Sequence, residues 1–299
     1  MLCVFIPSFN HATYVLEAIR SVRAIDVPKH IYVIDDASTD NTAAVIEQYL
    51  GESGASGITF IRKESNRGAI DSMIVFLELC RGEFIYTLAS DDIAVPEGID
   101  ALVRHLEANP ALGFVIGGGD NLFTDGHRTP LYGRKHDALF ARPPEQMATA
   151  MFLSDPSPLL CQSTVFRLSA LRAADAIDPN IVADDYAIFG KLFKHFDRRG
   201  ETYDFLPAVK CVLYRHHGGN SYLRFVRQAI THSEVIEKIA PPAIRTRAIG
   251  YKYAFLMLVA LRRRRFGIVR DLLRAAPSKS RGWLATGLFV NAYEWLKYR

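Results

Sequence analysis

Three pairs of adjacent carboxylates, Asp35-Asp36, Asp91-Asp92 and Asp184-Asp185, and the cluster Tyr214-Arg215-His216-His217 are the residues of this chain best suited to chemistry. Two neighbouring aspartates at a strand end suit a hard divalent cation, and such a cation suits a diphosphate. A further carboxylate can take a proton from an incoming hydroxyl, while Arg and His stabilise a negatively charged leaving group. Each cluster also has a plain structural explanation. Asp-Asp is common in turns, acidic residues favour a helix's first turn, and a His pair beside Gly218-Gly219 can simply close a polar loop.

The elements that must carry these residues are legible as apolar runs. Leu2-Cys3-Val4-Phe5-Ile6 reads as a first strand, followed by the loop Pro7-Ser8-Phe9-Asn10-His11 and a helix through Val15, Ala18, Ile19 and Val22. His30 to Ile34 is a second strand ending in Asp35-Asp36, and Asp40 or Thr39 caps the helix after it. Ile58 to Ile61 is a third, leading through Glu64-Ser65-Asn66-Arg67-Gly68 to a helix over residues 70–80. Phe84 to Leu88 is a fourth buried strand, which delivers Ala89-Ser90-Asp91-Asp92 to its tip ahead of a helix with Pro96 and Glu97 in its first turn. This alternation predicts a mostly parallel sheet with right-handed crossovers, whose ligands sit beyond the strands' carboxyl ends.

Composition bounds the function classes. At 299 residues and 49% hydrophobic, the chain can bury a full core. Cys3, Cys80, Cys161 and Cys211 form no C-x-x-C pair, so they read as reduced core thiols in a cytoplasmic protein. The chain opens on an apolar strand instead of a basic leader, which predicts no export. From Phe225 onward 15 Lys and Arg face 4 Asp and Glu, a net +11, so the preceding residues carry −7. An acidic front argues against a nucleic-acid enzyme, whereas a basic tail suits an anionic membrane. Neither G-x-G-x-x-G nor a P-loop signature occurs, which argues against dinucleotide oxidoreductases and P-loop phosphotransferases.

Four ordered motifs carry a resemblance: Pro7-Ser8-Phe9-Asn10, Val33 to Thr42, Asn66-Arg67-Gly68, and Ala89-Ser90-Asp91-Asp92. Together they resemble family-two inverting glycosyltransferases of the GT-A, nucleotide-diphospho-sugar transferase fold, over roughly residues 1–222. The resemblance implies a Rossmann-like α/β domain, a UDP- or other nucleotide-sugar donor, and a Mn²⁺ or Mg²⁺ ion. It further implies that Asp36 contacts the base, with Phe9 stacked nearby. Pro7, Ser8, Asn10, Asn66, Arg67, Gly68, Ser90 and Asp91 would line the nucleotide. Asp91 and Asp92 would form the metal element; Ala at position 89 departs from the family's fuller pattern and leaves fewer carboxylates for the ion, and Asp92 is favoured for the direct bond. Arg215 and His217 would serve the diphosphate, and His217 the metal as well. Asp185 is the implied base, while spacing leaves Asp184 open for that role.

The expected organisation is a catalytic domain over residues 1–224, its donor half about 1–110 and its acceptor half about 111–224, with a basic helical extension over 225–299. In the acceptor half, Phe114 to Gly119 reads as a strand entering a flexible turn. Residues 120–142 read as a polar hairpin, and Asp155-Pro156-Ser157-Pro158 as extended chain before a strand at Ser163 to Arg167. The tail reads as helices over 225–239, 251–261 and 283–298, none with the ~18 apolar residues that a membrane span requires. With Trp283, Phe289, Tyr293 and Trp295 beside four consecutive arginines, it suits a peripheral position on the cytoplasmic leaflet or a homo-oligomer contact. The expected acceptor is a saccharide or lipid-linked saccharide, in polysaccharide or glycolipid synthesis. A non-catalytic scaffold and a nucleotidyltransferase are the alternatives. The second is disfavoured because the loop from Pro7 to His11 offers no Lys or Arg for a triphosphate.

Overall fold

The computed structural model describes residues 1–54, 56–154, 159–181, 185–218 and 223–298. The front of the chain is a four-stranded parallel sheet in the order β3 (Ile58–Arg62), β2 (Lys29–Asp35), β1 (Leu2–Ser8), β4 (Phe84–Thr87). Its crossovers are α1 (Val15–Arg23), α2 (Thr42–Ser53) and α3 (Ala69–Leu79). β1 is buried along nearly its whole length, as the continuous apolar run of a central parallel strand requires. Phe76 on α3 stacks on Phe5 at 4.8 Å between centroids, which locks helix to sheet.

Beyond β4 the pairing becomes mixed. β5 (Ile93–Ala94) and α4 (Pro96–Ala108) are followed by β6 (Phe114–Leu122), β7 (Arg128–Pro130), α5 (Arg134–Phe140) and α6 (Pro144–Leu153). Next come β8 (Thr164–Arg167), α7 (Leu168–Ala173), α8 (Asp185–Leu192) and β9 (Tyr203–Arg215). β8 lies antiparallel between β4 and β6, and β6 runs parallel to β9, whose far side holds β5. A cluster of Phe114, Phe189, Phe193 and Tyr203 fills the space beneath this half, each ring worth roughly 2–3 kcal/mol of burial.

Two sequence expectations change here. Gly117-Gly118-Gly119 is no turn: the strand continues to Leu122, and the glycines sit where β9 bulges against β6. A Cβ on Gly118 would lie 2.0 Å from the Pro207 carbonyl oxygen, so only a residue without one permits this approach. Residues 120–142 do hold a hairpin, β6 with β7, but α5 follows within them. The segment 155–158 lies outside the described residues.

The tail consists of α9 (Phe225–Ile239), α10 (Arg245–Arg262), α11 (Phe266–Ala275) and α12 (Leu284–Lys297). α9 packs on α8 and α10 on α6, and buried Ile236, Ile249, Tyr253 and Met257 join the same core as the sheet. α12 lies against α10, where a Cβ at Gly287 would meet that of Ala254 at 2.8 Å. Among the described residues no helix is long and apolar enough to cross a membrane.

Candidate active site

The tips of β1, β2, β4 and β9 converge through side-chain hydrogen bonds. After β1 the chain turns at Asn10, which holds φ 55°. Asn10 is fixed there because its amide donates to Ser38 Oγ at 2.9 Å and its Oδ1 accepts from the Thr39 amide at 2.8 Å. The first loop is thus stitched to the second. The N-cap of α2 is Asn41, with no side-chain cap bond, in place of the expected Asp40 or Thr39; Asp40 instead accepts from the Thr42 amide two residues on and from that of Ala12, which ties the two loops.

Within the pair Asp35-Asp36 the aspartates divide their work. Asp35 is fully buried and accepts from the Ser38 amide and hydroxyl. Asp36 accepts from Lys63 Nζ at 2.5 Å, from the Arg67 amide at 3.0 Å and from the Gly68 amide at 2.7 Å. Burial works against its charge, but these donors win and hold its carboxyl below the ordinary value. Its carboxylate therefore holds the Asn66-Arg67-Gly68 loop in place, with Asn66 and Arg67 exposed. Gly68, at φ 89°, is a conformation that favours glycine.

At the tip of β4, Asp91 stands between two imidazoles. His217 Nε2 lies 2.9 Å from its Oδ2 and His11 Nε2 lies 3.9 Å away, while His11 Nδ1 is 2.7 Å from the Ser90 hydroxyl. One donor atom from each of His11, Asp91 and His217 falls within 4.8 Å of the others. Two imidazole nitrogens and a carboxylate fit a divalent transition ion such as Mn²⁺ better than Mg²⁺, which prefers oxygen. Burial depresses the His11 pKa against the pull of Asp91, which favours the neutral ring that a metal needs.

Asp92, favoured from sequence for the direct metal bond, is placed differently. It is 1% exposed, accepting from the Arg215 amide at 2.8 Å and from Gln162 Nε2 at 3.4 Å. Burial, then the adjacent Asp91, push its pKa well above the ordinary carboxylate value. Buried this way, Asp92 joins β4 to β9, while the part-buried Asp91 lies beside the two imidazoles. Arg215 itself donates to the Asp91 carbonyl at 2.8 Å, pairs with Glu17 at 2.5 Å and lies 5.1 Å from the Tyr14 ring centre. His216 is depressed by burial and then by the charge of Arg263.

The short helical turn Cys161–Ser163 connects this rim to α8. Gln162 reaches Asp92, and the neighbouring Cys161 amide donates to Asp185 Oδ1 at 3.0 Å. Tyr132 clamps the same turn, bonded to Ser163 Oγ at 2.5 Å and accepting from the Leu160 amide at 3.2 Å. Asp184 lies outside the described residues. Hydrogen bonds thus join the loops in turn: the Asp36 amide donates to the Ser8 carbonyl at 2.8 Å, His11 meets Ser90, Gln162 donates to Asp92, and the Cys161 amide donates to Asp185. Phe9 is 41% exposed at this rim, and Pro7 is half-buried beside it. The buried Ser8 hydroxyl and Gln162 Oε1 have no hydrogen-bond partner among the described residues. An unsatisfied buried polar atom costs about 1–3 kcal/mol, so both suit a ligand's polar groups.

His11, Lys63, Tyr132 and Gln162 were not singled out from sequence. Their partners are distant in the chain, His11 and Ser90 lying 79 positions apart, so no local spacing marks them.

Comparison with known proteins adds the following. Residues 3–168 match the model of a family described as Glycosyl transferase family 2. The chain is 24% identical over 142 residues to chondroitin synthase of Escherichia coli, covering 45% of this chain and 20% of that protein. It is 23% identical over 244 residues to poly-beta-1,6-N-acetyl-D-glucosamine synthase of Staphylococcus epidermidis, 81% of this chain and 57% of that one. The chain spans between 20% and 37% of the length of the curated relatives that it matches first. Among solved structures, S. aureus TarS 1-349 in complex with UDP-GlcNAc superimposes with a TM-score of 0.60 at 14% identity, over 98% of this chain and 89% of that one. Mannosyltransferase PcManGT from Pyrobaculum calidifontis, in complex with GDP-Man and Mn2+, gives 0.57 at 17% identity, over 99% and 86%. At these identities the likeness shows the fold.

Proposed function

Because the chain belongs to glycosyl transferase family 2, we propose that it is a metal-dependent inverting glycosyltransferase. It moves a sugar from a nucleotide-diphosphate donor to a hydroxyl of a saccharide or lipid-linked acceptor, in the assembly of a cell-surface polysaccharide or glycolipid. The observation that carries this reading is the His11, Asp91, His217 cluster at the rim that also leads to Asp185. Relatives that synthesise polysaccharides, and neighbours bound to UDP-GlcNAc and GDP-Man, support the donor class.

The donor's base lies by Phe9, above the loop that Asp36 holds, with the Ser8 hydroxyl as a further contact. Asp91, His11 and His217 hold the ion, whose chemistry when bound is to neutralise the departing diphosphate. Arg215, anchored to the Asp91 carbonyl, adds positive charge beside that group and keeps β9 against the tip of β4. Asp185, oriented by the Cys161 amide, takes the acceptor hydroxyl's proton. As the acceptor oxygen bonds to the anomeric carbon, that carbon's bond to the diphosphate oxygen breaks on the opposite face, and the configuration inverts.

The experiment is a thermal-shift panel of UDP- and GDP-sugars with and without Mn²⁺, followed by transfer assays. Nucleotide should raise Tm only with the metal, and His217→Ala or Asp91→Ala should abolish that rise. Asp185→Asn should keep the shift and lower transfer by about 10²–10⁴-fold. A nucleotide shift of equal size without metal would remove the ion from the proposal, and full turnover by Asp185→Asn would remove the base.

A further inference from the structure

The tail has a surface that the catalytic reading does not use. Residues 261–267 are all exposed, and they include Leu261, the four arginines Arg262 to Arg265, and Phe266, which is 67% exposed. The bend closes α10 with Arg264 at φ 55°, a position that glycine fills at lower cost. Here the chain carries a positive charge instead. The negative end of the α10 dipole lies beneath the cluster and offsets part of its self-repulsion.

An apolar stripe adjoins the arginines. On α12 the inward positions Leu284, Gly287 and Asn291 pack on α10, whereas Phe289, Tyr293 and Leu296 recur at helical spacing on the outward face. They are 73%, 56% and 66% exposed, more large apolar surface than a solvated helix face needs to show. The two features are continuous because the Arg262 guanidinium lies 4.2 Å from the Trp295 ring centre. Lys297 and Arg281 lie at the two ends of the stripe. The bend also packs on α9. Arg263 lies 5.7 Å from the ring centre of Phe225, the first residue of α9.

We propose that the Arg262–Arg265 bend and the outward face of α12 together dock on an anionic lipid surface, with the arginines among the headgroups and Phe289, Tyr293 and Leu296 at the acyl boundary. Aromatic and aliphatic side chains on one helix face with a basic border are the pattern of an in-plane interfacial helix. A two-fold contact with a second copy fits less well, because it would bring two arginine clusters together. That the surface brings the cleft to a lipid-linked acceptor rests on the transferase reading; the docking itself does not.

The test is flotation of the full chain with vesicles of phosphatidylcholine alone or mixed with phosphatidylglycerol, without nucleotide or metal. Binding should require the anionic lipid and weaken at high salt. The quadruple variant R262Q/R263Q/R264Q/R265Q should lower partitioning on the order of 1,000-fold. F289S/Y293S/L296S should lower it at unchanged charge, and both variants should keep the wild-type nucleotide-induced Tm rise. Equal binding to neutral and anionic vesicles, or none to either, would overturn the proposal. So would concentration-dependent self-association of the free protein that F289S/Y293S/L296S abolishes, since that would make the stripe a contact between copies. A failed transferase reading would leave the vesicle result standing, and a failed docking would leave the nucleotide shift.

Discussion

Asp36 illustrates how a side chain can serve a site by holding its neighbours. Its three donors, Lys63 and the amides of Arg67 and Gly68, outweigh burial and depress its pKa. A depressed carboxylate contributes stability above its unfolded value of ~3.9, and that contribution is lost as pH falls through the lower folded value. Asp36→Asn should therefore cost about 3 kcal/mol at pH 7, the low end for breaking a buried pair, because Asp71 still lies 2.6 Å from Lys63. Urea denaturation at pH 7, 5 and 3 checks this: the gap to wild type should shrink below about pH 4, and an undiminished gap at pH 3 would rule out the ionised carboxylate as its source.

At the scale of elements, the glycines of β6 decide where β9 lies and hence where Arg215 and His217 stand. Gly118→Val should cost about 1–3 kcal/mol or more, as overpacking against a backbone carbonyl does, and should also remove the metal-dependent nucleotide shift. Gly267, on α11 with open space around it, is the control: Gly267→Ala should be neutral or stabilising by up to ~1 kcal/mol. Thermal melts of both variants, with and without nucleotide, separate the outcomes. These glycines also mark where reading from sequence stopped. β1 to β4 were legible because buried parallel strands are unbroken apolar runs. A glycine triplet looks like a turn unless the strand pressed against it is known, and Pro207 inside β9 disguises that strand as loop. α11, which buries only Leu272, was hidden for the opposite reason: its pattern is set by what it leaves exposed. The carboxylate pairs stood out by adjacency, whereas His11 acquires its meaning only from residues that folding brings to it.

For the whole molecule, one bond links distant parts of the chain. The Asp92 carboxylate accepts from the Arg215 amide across 123 positions. As the chain leaves the ribosome, the parallel front can gather once residue 87 is free, because β1 to β3 pair only within it and β4 takes an outside partner, β8, on one edge alone. The acidic tip beyond it must then wait, solvated and unshaped, until β9 emerges and threads beside β6. The rim thus matures only after the front, and a chain stopped after residue 168, the limit of the family match, would lack the strand whose Arg215 amide meets Asp92.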